Sequence, residues 1–182
     1  MVPESAAADV GWNAVDRAAV EERFRALLER DAGALARLAA SFTRSTSDRD
    51  DLLQEVAMAL WQALPGFRGE CSERTFLFRI AHNRCLAHLA RRRPVLPLDD
   101  EAASIEDPQP TVEAQLSQEE QRKRLLRAVR ALPPGYRQVV TLMLEGLSYR
   151  EIAQVLGMSE SNVGVRLNRA RQMLKSRLEP RS

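Results

Sequence analysis

The chain has 182 residues, enough for one large domain or two small ones. Apolar residues make up 45% and charged residues 29%, and no apolar run approaches the roughly 18 residues that span a bilayer. The start, MVPESAAADVGW, has neither a basic opening nor a long apolar stretch, so no secretory signal or membrane insertion is expected. Two cysteines, Cys71 and Cys85, make no disulfide framework and suit a reducing interior, which points to the cytoplasm.

Helix formers dominate the first third. Ala18 to Arg30 and Ala32 to Phe42 are rich in Ala, Leu, Glu and Arg. Ser47 or Asp48 is placed to cap a following helix, with acids in its first turn. Its apolar residues Leu52, Leu53, Val56, Ala57, Leu60 and Leu64 recur at helical spacing, and Pro65-Gly66 ends it. The loop FRGECSE leads to a further helix from about Arg74 to Arg92, with Leu77, Ile80, Ala81, Cys85 and Leu89 as its apolar stripe.

Composition then shifts. PVLPLDDEAASIEDPQP carries four prolines and most of a local acid cluster, so residues 94–111 read as a flexible linker. Beyond it, a helix through Leu116, Leu125, Leu126, Val129 and Leu132 ends at Pro133-Pro134-Gly135, and another runs from Tyr136 to Glu145. Gly146 suits its C-terminal cap. Ser148-Tyr-Arg-Glu151 fits a capping box, in which Ser and Glu satisfy each other's backbone donors. Gly157 ends that short helix, and Ser159 caps the last one, which runs to about Leu178.

Two helices joined by a short glycine-bearing turn match a helix-turn-helix. In the second, Val163, Leu167, Ala170 and Leu174 make the inward stripe. Small, amide and arginine side chains lie outward, where they can meet base edges and phosphates in a major groove. The interior Gly164 lets the backbone approach that groove, and Val165 beside it can touch a thymine methyl.

Charge supports polyanion binding at two places. Residues 74–93 hold six arginines and no acid; residues 94–114 hold six acids and no base; residues 162–177 hold five bases and no acid. Two basic segments flanking an acidic one describe a bipartite binder. No Ser-His-Asp set, glycine-rich phosphate loop or HExxH is present, so neither an enzyme nor a cofactor is expected. His82, Cys85 and His88 form HxxCxxH near Cys71, but their helical spacing spreads them by about 120°, and Cys85 falls on the apolar stripe. No metal site is assigned there.

Two segments together resemble one family. DRDDLLQEVAMALWQALPGFRGE with SERTFLFRIAHNRCLAHLARRR is similar to the second conserved region of sigma-70-type factors. ALPPGYRQVVTLMLEGLSYREIAQVLGMSESNVGVRLNRARQML is similar to their fourth. With only these regions, the chain resembles the extracytoplasmic-function group. The resemblance implies an all-α protein of two small domains joined by the acidic, proline-rich linker: a region-2-like domain over 18–93 and a region-4-like helix-turn-helix domain over 112–178. It implies binding to core RNA polymerase and to promoter DNA, with initiation directed by a −10 and a −35 element. Anti-sigma proteins often hold family members inactive, so such a protein is a candidate partner. The alternative is a helix-turn-helix regulator that acts without replacing the polymerase's sigma subunit.

Position by position, the resemblance assigns polymerase binding to Asp51, Gln54 and Glu55, which match DxxQE. It assigns −10 DNA to Phe67, Arg68, Arg74, Phe76, Arg79, Asn83 and Arg84. For the −35 element the candidates are Ser161, Asn162, Gly164, Val165, Arg166, Asn168 and Arg169. Three features depart from the family pattern. Phe76 stands where tryptophan is common, His82 and His88 are unusual, and Gly164-Val165 replace a basic residue and a serine.

Overall fold

A computed structural model of the protein describes residues 14–91 and 112–178, and the side chains of 17–91 and 120–178 within them. Among these residues the secondary structure is helical: α1 Ala14–Phe42, α2 Thr46–Ala63, α3 Glu73–Arg91, α4 Val112–Arg130, α5 Pro134–Leu144, α6 Tyr149–Leu156 and α7 Glu160–Leu178. A single 3-10 turn, Leu64–Gly66, follows α2 where Pro65 stops it. The proposed linker, 94–111, lies outside the described residues, as do Arg92 and Arg93.

The two helix-forming runs before Phe42 form one helix. Gly33 lies inside it, and Leu27, Ala34, Leu35, Leu38 and Phe42 keep one buried face across the glycine. Continuous packing thus outweighs the roughly 1 kcal/mol that an interior glycine costs. The cap of α2 also differs from expectation. Ser45, extended at φ −123°, accepts a hydrogen bond from the Asp48 amide (3.2 Å), so the helix begins at Thr46 rather than after Ser47 or Asp48. In α5 the last helical residue is Leu144, and Gly146 follows with φ +79°.

α1 packs on α2 and α3, which also pack on each other; α7 packs on α4, α5 and α6. Leu52, Leu60, Leu77 and Phe78 fill the first group, and Leu142, Ile152, Val163 and Leu167 the second. Each such fully buried side chain contributes about 1.5–3 kcal/mol relative to an exposed one. The groups meet where α3 lies against α6 and where α1 lies against α4 and α5. No described helix is long and apolar enough to cross a membrane.

Candidate nucleic-acid interface

The DxxQE segment lies on the outer face of α2. Leu52, Val56, Ala59 and Leu60 are buried. Asp51, Gln54, Met58, Trp61 and Gln62 are exposed and Glu55 is half-buried. At 100° per residue these six share a sector of about 120°. Two of them are large apolar groups, Met58 (64% exposed) and Trp61 (37%), so the stripe is mixed in character. Trp61 stands edge-on to Phe24 of α1, with ring centroids 5.2 Å apart. Glu55 is held by Arg91 at 2.6 and 2.8 Å, which orients its carboxylate.

The loop between α2 and α3 brings Phe67 onto Phe76, with ring centroids 4.6 Å apart. Arg79 lies over the Phe76 ring at 5.5 Å, and Arg23 over Phe67 at 5.8 Å. Arg23 also pairs with Glu73 at 2.5 Å, tying α1 to the start of α3. Phe76 is buried, so it supports this cluster as packing; Arg68, Asn83 and Arg84 are exposed. Arg74 has a different setting. Its Nε donates to Asp31 Oδ1 (2.8 Å), its Nη2 donates to the Glu145 carbonyl (2.7 Å), and it lies over the Phe78 ring at 5.0 Å.

The histidines and cysteines do not converge. His82 is 3% exposed, stands edge-on to Phe42, and neither ring nitrogen has a hydrogen-bond partner. Burial lowers its pKa to about 4. Cys85 is buried on the apolar stripe, and desolvation pushes its thiol up to about 12. Cys71 is half-buried, and His88 Nε2 is buried without a partner. Among the described residues no group of three or more His, Cys, Asp or Glu side chains is arranged to hold a metal ion.

The helix-turn-helix is built by local chemistry. Ser148 Oγ accepts from the Glu151 amide (3.3 Å), and Glu151 Oε2 accepts from the Ser148 amide (2.8 Å). Those bonds to Ser148 hold the Glu151 carboxyl below the usual range. Gly157 closes α6 in the left-handed conformation at φ +64°. Ser159 Oγ then accepts from the Asn162 amide (3.3 Å) and starts α7.

On α7, Ser161, Asn162, Val165, Asn168 and Arg169 are exposed, whereas Val163, Leu167 and Ala170 are buried. Two of the seven candidates face elsewhere in part. Arg166 is half-buried; its Nε donates to Asn162 Oδ1 (3.3 Å), and one guanidinium nitrogen lies 3.2 Å from where a Cβ on Gly135 would stand. It therefore folds back toward α5. Gly164 is half-buried, because the Tyr149 ring lies beside it. The sequence reading overlooked Tyr149, because no local pattern places it beside Gly164.

Comparison with known proteins adds an independent line. The family model "Sigma-70 region 2" matches residues 27–95, and "Sigma-70, region 4" matches residues 122–174. The chain is 31% identical over 170 residues to the ECF RNA polymerase sigma-E factor of Escherichia coli (strain K12), covering 88% of each chain. It is 33% identical over 162 residues to the RNA polymerase sigma factor NccH of Alcaligenes xylosoxydans xylosoxydans, covering 86% of this chain and 87% of NccH. Among solved structures it is similar to CnrH in complex with the cytosolic domain of CnrY (TM-score 0.64, 30% identity, 86% and 87% of the two chains). A likeness to the sigma factor RpoE with the anti-sigma factor NepR from Bartonella quintana extends to the fold (TM-score 0.68, 20% identity, 86% and 97%).

Proposed function

We propose a division of labour within this chain, which belongs to the sigma-70 family of RNA polymerase sigma factors, in its extracytoplasmic-function group. As a sigma factor it directs core polymerase to promoters. Helices α1–α3, within a domain spanning 18–93, bind the polymerase and read and melt the −10 element. Helices α4–α7, within a domain spanning 112–178, read the −35 element, and 94–111 link the two. The protein acts in the cytoplasm, without catalysis of its own.

One observation carries this reading. The Asp51, Gln54 and Glu55 stripe is separated from the buried face of α2 and runs into exposed Met58 and Trp61. An acidic and amide edge beside apolar anchors suits a protein interface better than a solvated face. Asn83 supplies an amide for a base edge, and Arg79 and Arg84 supply phosphate contacts. Ser161, Asn162, Val165, Asn168 and Arg169 serve the −35 element from the first three turns of α7, as a recognition helix does. CnrH and RpoE were both solved with a protein partner, and that supports an anti-sigma partner here.

The test is binding of the full chain to core polymerase. Asp51→Arg, at an exposed position, is expected to weaken binding at least tenfold while helicity stays native. Unchanged binding would remove the stripe from the interface.

A further inference from the structure

The loop between α2 and α3 is pinned at both ends. At the first, the Phe67 amide donates to the Leu64 carbonyl (3.1 Å). At the second, Ser72 starts α3: its Oγ accepts from the Thr75 amide (3.0 Å), and its carbonyl accepts from the Phe76 amide (2.9 Å). Between them Arg68, Gly69 and Glu70 are exposed and make no hydrogen bond among the described residues. Gly69 turns the chain there at φ +77°. The placement of this tip therefore depends on its flanking side chains, Phe67 and Cys71, both packed against the core.

Phe67 is held from two elements. Its ring meets Phe76 of α3, with centroids 4.6 Å apart and planes inclined by 35°, and it lies 5.8 Å beneath the Arg23 guanidinium of α1. One turn along α3, Arg79 lies 5.5 Å over Phe76. Contacts thus run from Arg23 to Phe67, Phe76 and Arg79, from cation through two aromatic rings to cation. Arg23 is exposed on α1, beside the buried Leu27, where the helix packs on the Leu64–Gly66 turn and on α3. Its Nε and Nη2 both donate to Glu73 Oε1, at 2.9 and 2.5 Å. Glu73 lies in the first turn of α3, where the helix dipole favours a carboxylate. A planar guanidinium can offer its N–H edge to a carboxylate and its face to a ring at once, which an ammonium cannot.

The Arg23 and Glu73 side chains are 42% and 38% exposed, and ion pairs so open to water add little to stability. What the pair supplies is direction. We propose that Arg23 is a positioning residue for the −10 element. It acts through Phe67, holding the loop and its exposed Arg68 against the start of α3, where Phe76 carries Arg79. This role rests on the division of labour proposed above, and it gives α1, which carries none of the candidate DNA residues, a part in promoter reading. A loop without this hold would present Phe67 and Arg68 in many arrangements, and binding the −10 strand would then have to select one of them.

The test compares the native full chain with Arg23→Lys, Arg23→Met and Glu73→Gln, each checked for native helicity and melting temperature. In the free protein, alkylation of Cys71 by iodoacetamide reports on the loop, and both Arg23 variants are expected to speed it about threefold or more. With core polymerase, both are expected to slow promoter opening about fivefold and to flatten the −10 block selected from a random library. The −35 block is expected to stay intact and polymerase affinity to change less than about twofold. Glu73→Gln, which keeps the shape and loses the charge, shifts the same readouts by less. On a Phe67→Leu background, Arg23→Lys is expected to add no further loss, because the two side chains act as one unit. Native Cys71 reactivity or an intact −10 block in either Arg23 variant would overturn the proposal. Additive losses on the Phe67→Leu background would also overturn it, as would equal losses of −10 preference, −35 preference and polymerase affinity. A failure of the promoter reading beneath it looks different: the native chain itself then selects no −10 block with core polymerase, and both fall together.

Discussion

The Tyr149 ring of α6 lies 3.5 Å from where a Cβ on Gly164 of α7 would stand, so the glycine inside the last helix faces a neighbour in the fold. That spacing is ordinary van der Waals contact. Gly164→Ala is therefore expected to stabilise the protein by about 0.5–1 kcal/mol through helix propensity, with −35 preference retained. A longer side chain must pass Tyr149, and under the proposed −35 role of α7 it is expected to enter the groove. Gly164→Arg is expected to change the selected −35 sequence and steepen the salt dependence of promoter binding by about one phosphate contact. Thermal melts and a salt titration of the holoenzyme on duplex DNA check both.

Asn83 is exposed on α3, one residue beyond the buried His82. Asn83→Ala removes an amide without opening a cavity. It should impair promoter opening, followed by permanganate reactivity of unpaired thymines, about tenfold, while affinity for core polymerase changes less than twofold. Equal losses in both would mean that Asn83 supports structure rather than a base contact.

His82 sets an acid limit on stability. Unfolded, its imidazole protonates near 6.5; folded, burial lowers the value to about 4. Between those values the unfolded chain binds a proton that the native one refuses. The contribution is whole above about pH 6.5 and is lost as pH falls toward 4, by about 3 kcal/mol in all. His82→Leu, which removes two buried nitrogens that have no partner, should flatten that limb in urea titrations at stepped pH. An unchanged acid limb would move the sensitivity elsewhere.

The two thiols should separate kinetically. Cys71 is half-buried, whereas Cys85 is buried and its pKa is raised to about 12. The thiolate is the reactive form. At neutral pH an excess of iodoacetamide is expected to modify Cys71 in the native protein and Cys85 only after unfolding. Mass spectrometry of a time course reads this directly, and early modification of Cys85 would show that α3 opens locally.

Local chemistry made much of the fold legible in the sequence. The capping box of Ser148 and Glu151, the left-handed Gly157 and the stripe of Val163, Leu167 and Ala170 each involve residues within a few positions, so pattern alone located the helix-turn-helix. The cap of α2 was read at Ser47 or Asp48 because both residue types suit a cap, and only backbone geometry selects Ser45. The continuity of α1 through Gly33 depends on packing against α2 and α3, which no local pattern encodes. For the same reason the contacts between the two helix groups were hidden. Arg37 and Glu145 are 108 positions apart, and an arginine on a helix reads alike whether solvated or paired. The fold of Arg166 back toward Gly135 is likewise a tertiary event that no local pattern encodes.

Reconstituted initiation tests the division of labour most directly. Core polymerase with the native chain is expected to give discrete run-off transcripts from promoters selected out of a random library, with conserved blocks near −35 and −10. Asn168→Ala should relax the −35 block alone, and Asn83→Ala the −10 block alone. Loss of both blocks from either substitution, or transcripts whose start sites ignore both blocks, would contradict the assignment of one element to each group of helices.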